Sequence, residues 1–469
     1  MRRYCKYQRY WSNYFNQVKE IFNIRVISIF LITNIILLIK LFFSFNLFYL
    51  FLFIFLSSLM LINKKVFLIY IGSVLTLCFS ILIWKSYISN DNNQIIEQEI
   101  VVISKNKNYY FVQFNNKRYL LYKNNYDFEV GQKLTSTFTI TEFNPQSKNF
   151  WYSKFILGFI KLNNYHKNDI KLSWIDKFFN LNFFTKDSYK NMTLTLLFGK
   201  VDYDSNILDI SKNLGIVHLI VISGFHFNIV FSIFNKLFSK LKFNLNIYFP
   251  LMFISVYFIF VNFSVSSLRA YLYIILVNLI SLIKINNTSK YNFINEKLFI
   301  IYITLLISLL INPFFIFNIS LWYSYLITIL IIVFKRKTVT KKQIILNQVY
   351  IFINSYLFSL LISLTTQNNF NILAIINIFI FSIVIEFSII FNLLFWFIPI
   401  IIDYYYIIFN LIFDFCNIFN ITLTTNFLLN QDLVLAFIFS VIFIKIIFNN
   451  IWTNQPYKLI IKQKFFKMN

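Results

Sequence analysis

The chain has 469 residues, of which 58% are hydrophobic and only 13% are charged, and its formal net charge is +25. Soluble domains carry about 25% charged residues, so this composition excludes an ordinary soluble enzyme and indicates a polytopic α-helical membrane protein. Its positive charge fits either an anionic partner or the enrichment of Lys and Arg in cytoplasmic loops. Three scattered cysteines and six glycines offer no disulfide framework, metal motif or glycine-rich phosphate loop, so we expect no metal and no cofactor.

The N-terminal region, residues 1–84, consists of apolar runs that predict three spans near 24–44, 46–62 and 66–84. Each run is close to the length of about 20 residues that a helix needs to cross hydrocarbon. With the basic clusters that flank these runs placed inside, the chain reaches the outside near Lys85.

Residues 85–175 differ from their surroundings and predict a small external β domain of OB type. The segment from Lys85 to Gly215 holds 12 of the 18 acidic residues of the chain. β-branched and aromatic runs separated by polar breaks predict strands, and they lie at 98–104, 108–115, 117–122 and 133–143.

Aromatic and basic side chains alternate within these strands. In OB-type domains aromatics stack on bases while cations follow the phosphates, although filling of the barrel core explains many aromatics equally well. The DNA-binding candidates in this domain are Lys105, Lys107, Tyr109, Lys117 and Arg118.

Residues 176–450 contain the segment with the most unusual chemistry. An amphipathic helix, with Ile210 and Leu214 opposite Lys212, precedes an apolar span near 216–234 that holds His218 and His226. Ionisable groups at membrane depth are costly and usually face a bundle interior or a watered cavity. Hydrogen bonding between helices is the structural alternative.

The remaining spans are predicted near 246–263, 266–284, 297–311, 318–334 and 344–364, with three more before Phe448. The total is about twelve, which leaves both termini and the basic tail, residues 451–469, in the cytoplasm. The arrangement after Leu364 stays open, and Glu386 receives no role. Arg269 lies inside one span, where it either attracts phosphate or extends its charge to the interface.

The order of motifs in this chain resembles the ComEC-type competence proteins, which import transforming DNA across the inner membrane. The matching residues are Leu196, Leu197, Gly199, Gly215, His218, Leu219, Ser223, Gly224, His226, the Ser266–Ala270 segment with Arg269, Asn312, Pro313, Leu321–Tyr325 and Asn377. The β-rich segment up to Tyr165 is similar to the end of the family's external domain. The chain departs from the family at Phe227 and Asn228, where a glycine is usual, and near Val265, where a proline is expected.

The resemblance implies a channel domain over residues 176–450 and a short family form that lacks a metallo-β-lactamase-like domain, since no histidine lies beyond His226. The implied function is import of single-stranded DNA, without enzymatic activity. The implied DNA path includes His218, Ser223, Gly224, His226, Arg269 and Asn377.

The expected partners are single-stranded DNA and the lipid bilayer of the cell membrane. The resemblance also leaves room for a separate nuclease, a cytoplasmic motor or DNA-binding protein, and further copies of the chain. Two alternatives stay open: a small-metabolite transporter with a central site at His218 and His226, and an intramembrane metal-dependent hydrolase. The hydrolase lacks a His-Glu-x-x-His motif, and the transporter should contain inverted repeats.

Overall fold

The computed structural model describes residues 24–61, 64–88, 95–106, 108–123, 126–170, 177–178, 187–200, 206–220, 223–240, 245–282, 296–336, 340–395, 398–418, 420–425 and 427–453. Lys107 and most of the predicted cytoplasmic tail, residues 454–469, lie outside them, as does the basic N-terminal segment 1–23.

Three helices form the N-terminal unit: α1 (Ile24–Phe43), α2 (Leu47–Met60) and α3 (Lys64–Ile88). Helix α1 is apolar on all sides and most of its side chains are buried, as expected of a helix surrounded by others. The three predicted N-terminal spans thus correspond to three helices.

A five-stranded closed barrel follows, formed by β1 (Ile95–Lys105), β2 (Tyr109–Phe114), β3 (Lys117–Tyr122), β4 (Gln132–Thr141) and β5 (Ile156–Ile170). The strand order is β1-β2-β3-β5-β4, and β1 pairs with β4 to close it. Only the β3–β5 pair is parallel. Burial alternates along β2 and β4, because successive side chains of a strand point to opposite faces. A short helix, α4 (Pro145–Tyr152), connects β4 to β5.

The next region contains α5 (Asp187–Phe198), α6 (Asn206–Leu214), α7 (Val217–Ile220) and α8 (Gly224–Leu237). Helix α6 is the predicted amphipathic helix, and its Leu214 is buried while Lys212 is exposed. The predicted span 216–234 is interrupted, since α7 ends at Ile220 and Ser223 caps a new helix. A serine side chain that bonds to the backbone favours such a helix start.

The remaining helices are α9 (Leu245–Phe260), α10 (Val265–Leu282), α11 (Lys297–Ile311), α12 (Ile319–Phe334), α13 (Lys341–Ser363), α14 (Ala374–Phe395), α15 (Pro399–Ile418) and α16 (Gln431–Thr453). A 3-10 helix, Pro313–Phe317, joins α11 to α12, and strands β6 (Asn369–Asn371) and β7 (Thr422–Thr424) pair with each other. Within the described residues, seven helices are long and apolar enough to cross a membrane, and four shorter apolar helices accompany them. The chain is therefore a polytopic membrane protein, while the count of twelve spans stays a prediction.

The barrel is attached to one end of the helix bundle. The Asn312 side-chain amide donates a hydrogen bond of 2.8 Å to the Tyr152 carbonyl. The Trp84 indole donates one of 2.9 Å to the Ile311 carbonyl. At the same end, the ring of Phe43 at the end of α1 lies 4.6 Å from that of Phe314. The ends of α1, α3 and α11 thus face the barrel, as does the start of α12.

Candidate functional site

The start of α8 is a capping box built from Ser223 and His226. The Ser223 hydroxyl accepts from the Phe225 N–H at 3.3 Å, and the His226 Nδ1 accepts from the Ser223 N–H at 3.3 Å. Since Nδ1 acts as an acceptor, the proton of the neutral imidazole lies on Nε2. The His226 side chain is fully buried and its Nε2 has no hydrogen-bond partner among the described residues. A buried donor therefore lies at the start of this helix without an acceptor.

Arg269 lies in the second turn of α10 and is held by α12. Its Nε donates to the Ser324 hydroxyl at 2.9 Å, and that hydroxyl is 3.3 Å from the Ser266 hydroxyl. Ser324 lies within the Leu321–Tyr325 segment that matches the family motif, but the sequence assigned it no role in the site, because its contact with Arg269 depends on how α10 and α12 pack. No carboxylate of the described residues forms an ion pair with Arg269.

Gly224 brings these two groups together. A β-carbon on residue 224 would lie 2.8 Å from Arg269 Nη2, so a larger residue there would force the guanidinium away from its present position. The first turn of α8 thus meets the second turns of α10 and α12. Because α12 starts at the barrel end, the site lies at the same end of the bundle.

The groups that meet at this site are positively charged or hydrogen-bond donors. A helix N-terminus carries about half a positive charge and unpaired N–H groups, and here it faces a guanidinium group. Ser223, Gly224 and Phe225 are only partly buried. The site therefore presents positive potential and hydrogen-bond donors to whatever approaches it.

Asn377 makes a different set of contacts. Its amide donates to the Leu214 carbonyl at 3.2 Å, and the Asn371 amide donates to the Asn213 carbonyl at 2.9 Å. Both bonds satisfy main-chain carbonyls at the end of α6, which have no partner within the helix. Gly215 follows with a φ of +75°, and a β-carbon there would lie 2.7 Å from that of Ala374. Asn377 and Gly215 thus hold the end of the amphipathic helix against α14.

The Leu-Leu-x-Gly motif at the end of α5 is fixed by residues that the sequence did not single out. The Tyr257 hydroxyl donates to the Leu197 carbonyl at 2.6 Å. The Asn262 N–H donates to the Phe198 carbonyl at 2.7 Å and its side-chain amide to the Gly199 carbonyl at 3.3 Å. His218 belongs to α7, and its side chain lies outside the described part of the chain.

The DNA-binding candidates of the barrel fall into two groups. Lys105 and Arg118 are exposed. Lys117 donates to the Tyr87 carbonyl at 3.3 Å, and Tyr109 packs edge-on against the rings of Tyr122 and Trp151. Lys117 and Tyr109 therefore support the barrel and its junction with α3, whereas Lys105 and Arg118 are exposed to solvent.

Two further findings concern acidic and metal-ligating residues. Glu386 lies on an exposed face of α14. No cluster of three or more His, Cys, Asp or Glu side chains that could hold a metal ion occurs within the described ranges.

Comparison with known proteins identifies a family. The family model described as "Competence protein" matches residues 196–461, a range that contains every residue of the site at the start of α8. No curated protein matches the chain. No solved structure matches it either.

Proposed function

Because the chain belongs to the competence protein family, whose role is in DNA uptake, we propose that it is a membrane channel that passes one strand of DNA into the cell. The match covers residues 196–461, which supports assigning the conducting part to the helical region that follows the barrel. The barrel would receive the strand on the outer face of the membrane.

The observation that carries this proposal is the pairing of Arg269 with the start of α8. A guanidinium and a helix N-terminus repel each other unless an anion lies between them. A cation within an apolar membrane helix is rare, and it is by default a candidate for an ion or substrate pathway. A DNA strand carries one negative charge per nucleotide. One of its phosphates could therefore lie between the guanidinium and the start of α8 as the strand enters the path.

The proposed path comprises His218, Ser223, Gly224, His226, Arg269 and Asn377. The contacts of these residues support two roles. Ser223, Gly224, His226 and Arg269 would contact the strand, while Asn377 would position the amphipathic helix beside it, because its amide is bonded to the Leu214 carbonyl.

The barrel supports the proposal through its topology and its exposed cations. A small closed barrel of five strands is the architecture of OB domains, which bind single strands on a basic, aromatic surface. Among the described residues of the predicted set, Lys105 and Arg118 are exposed cations. We assign the barrel to this class and these two residues to strand binding.

Strand removal and the driving force would come from other proteins under this proposal. The channel supplies no nucleotide-binding loop, so a cytoplasmic motor or DNA-binding protein would pull the strand, and a separate nuclease would degrade its complement. A homo-oligomer is also compatible with the lipid-facing apolar surface of the helices.

The test is binding of the purified, detergent-solubilised protein to a labelled single-stranded oligonucleotide across a salt series. Affinity should fall steeply with salt, because each released phosphate counterion contributes about −0.7 to the slope of log K against log salt. The matched control is an oligonucleotide of the same sequence with an uncharged backbone, which should bind weakly and without salt dependence. Equal binding of both oligonucleotides, or competition by small metabolites instead of DNA, would contradict the proposal.

A further inference from the structure

The start of α8 leaves hydrogen-bond donors without acceptors. The Ser223 hydroxyl accepts a hydrogen bond from the Phe225 N–H and, as part of the capping box, from the His226 N–H. The Gly224 N–H makes no hydrogen bond within the described residues, as is usual for the first residue of a helix. The buried Nε2 of His226 has no partner there either. These two donors belong to the same helix start.

Arg269 adds two further donor groups to the same place. Its Nε donates a hydrogen bond of 2.9 Å to the Ser324 hydroxyl. This bond fixes the plane of the guanidinium. The Nη1 and Nη2 groups make no hydrogen bond within the described residues. Both lie close to Gly224, since a β-carbon there would be 2.8 Å from Nη2 and 3.6 Å from Nη1. The Nη1 and Nη2 groups of the guanidinium thus face the start of α8.

We propose that Arg269, held by Ser324, and the N-terminus of α8 at Gly224 form a binding site for a single phosphodiester group. This inference rests on the proposed function, and it names the contact through which the strand would be held at the outer end of the channel. A guanidinium with two available N–H edges binds phosphate oxygens bidentately, which a lysine cannot do. The helix N-terminus adds backbone N–H groups and its dipole, the combination that binds phosphate in many proteins.

Gly224 has a specific part in this site. Without a β-carbon, the backbone of residue 224 approaches the guanidinium closely, and a phosphate oxygen can bridge the Gly224 N–H and an Nη group. An alanine β-carbon at this position would lie 2.8 Å from Nη2 and would move the guanidinium away from the helix start. The site therefore requires glycine at 224 as well as arginine at 269.

The experiment measures single-strand binding by the purified full chain against salt for Arg269→Gln, Arg269→Lys and Gly224→Ala. The control is Arg336→Gln, which removes an exposed arginine just beyond the far end of α12. We expect Arg269→Gln to reduce the salt slope by about 0.7, the contribution of one phosphate in a single strand. Arg269→Lys should keep the slope but bind at least several-fold more weakly, and Arg336→Gln should match wild type. An unchanged slope in Arg269→Gln would overturn the inference while leaving DNA binding by the protein intact.

A second measurement tests whether the site binds phosphate and, separately, whether that phosphate belongs to DNA or to a lipid. Thermal unfolding of the wild type and of Arg269→Gln is followed with dimethyl phosphate, with a short oligothymidylate, and in nanodiscs of anionic or zwitterionic lipid. The inference predicts that dimethyl phosphate and oligothymidylate raise the Tm of the wild type more than that of Arg269→Gln. Stabilisation by dimethyl phosphate but not by the oligonucleotide would support the site and contradict DNA transport. An Arg269-dependent effect of anionic lipid alone would overturn the assignment to the strand.

Discussion

The side-chain amide of Asn312 donates a hydrogen bond to the main-chain carbonyl of Tyr152, and this bond joins the end of α11 to the last turn of the short helix beside the barrel. The Asn312 side-chain oxygen also accepts from the Phe314 N–H at 2.9 Å. One fully buried side chain thus lies at the end of the apolar helix α11, caps the 3-10 helix and holds the barrel to the bundle.

Asn312→Ala should loosen the barrel from the bundle. Leaving the Tyr152 carbonyl buried without its partner costs about 1–3 kcal/mol, so we expect faster amide hydrogen exchange in the 145–152 helix. Asn318→Ala is the control, because Asn318 caps α12 through the Ser320 N–H and makes no hydrogen bond to the described residues of the barrel. Equal exchange in the 145–152 helix of the two variants would contradict this role for Asn312.

The barrel and the end of α12 should lie on opposite sides of the membrane. Single cysteines are introduced at Asn163 on β5 or at Lys335 after α12, both exposed, in a chain whose native cysteines are replaced by serine. An impermeant thiol reagent on intact cells should label position 163 and not 335. Labelling of position 335 alone would reverse the predicted orientation.

His226 is predicted to act on the strand as well as on the helix cap. Glutamine at the third helix position also completes a capping box, so His226→Gln preserves the structural role while His226→Ala removes it. We expect both variants to insert at near-normal levels and to lose DNA uptake, and His218→Ala to behave likewise. Full uptake by His226→Gln would show that the histidine only caps α8, and degradation of all three variants would favour a packing role.

Gly215 should tolerate no side chain, whereas Gly72 should tolerate one. Gly215→Ala forces a φ of +75° on an L-residue and brings its β-carbon to 2.7 Å from that of Ala374, so we expect destabilisation of more than about 1 kcal/mol. Gly72 lies within α3, where a β-carbon would meet no other atom within 4 Å, and alanine there should be neutral or stabilising by up to about 1 kcal/mol. Thermal unfolding in detergent compares the two alanine variants. Equal Tm values for Gly215→Ala and the Gly72 variant would contradict the role assigned to Gly215.

Under the channel proposal, the purified chain should not degrade DNA. Zinc-type hydrolysis needs three or more ligands that converge on an ion with an open position, and the described residues hold no such group. Labelled double-stranded DNA with Mg²⁺, Mn²⁺ or Zn²⁺ provides the assay. Cleavage that His218→Ala abolishes would make the protein an enzyme and exclude a purely conducting role.

The sequence predicted most of the helices and four of the five barrel strands because their patterns are local. The apolar runs of α1 and α3 have the length that a bilayer demands, and the β2 and β3 runs are short, aromatic and bounded by turn residues. The strand β5 was not predicted, because Asn163, Asn164 and Lys167 within it are typical of a polar loop. Its pairing with β3 and β4 is a long-range effect that overrides local propensity.

The site was predicted in part for the same reason. Ser223, Gly224, His226 and Arg269 stand out because polar and small residues are unusual within apolar spans. Their arrangement depends on how α8, α10 and α12 pack, which no local pattern contains. The contact between Ser324 and Arg269 could not be predicted for that reason, nor could the contact between Asn377 and α6.

The most direct test of the channel proposal is photo-crosslinking from the start of α8 to DNA. A benzophenone amino acid replaces the half-buried Phe225, or, as the control, the exposed Phe379 on α14. Each protein is irradiated with a labelled single-stranded oligonucleotide. We predict a crosslink at position 225 that unlabelled single-stranded DNA competes away, and none at position 379. The absence of a crosslink at 225, or equal crosslinking at both positions, would contradict passage of the strand beside α8.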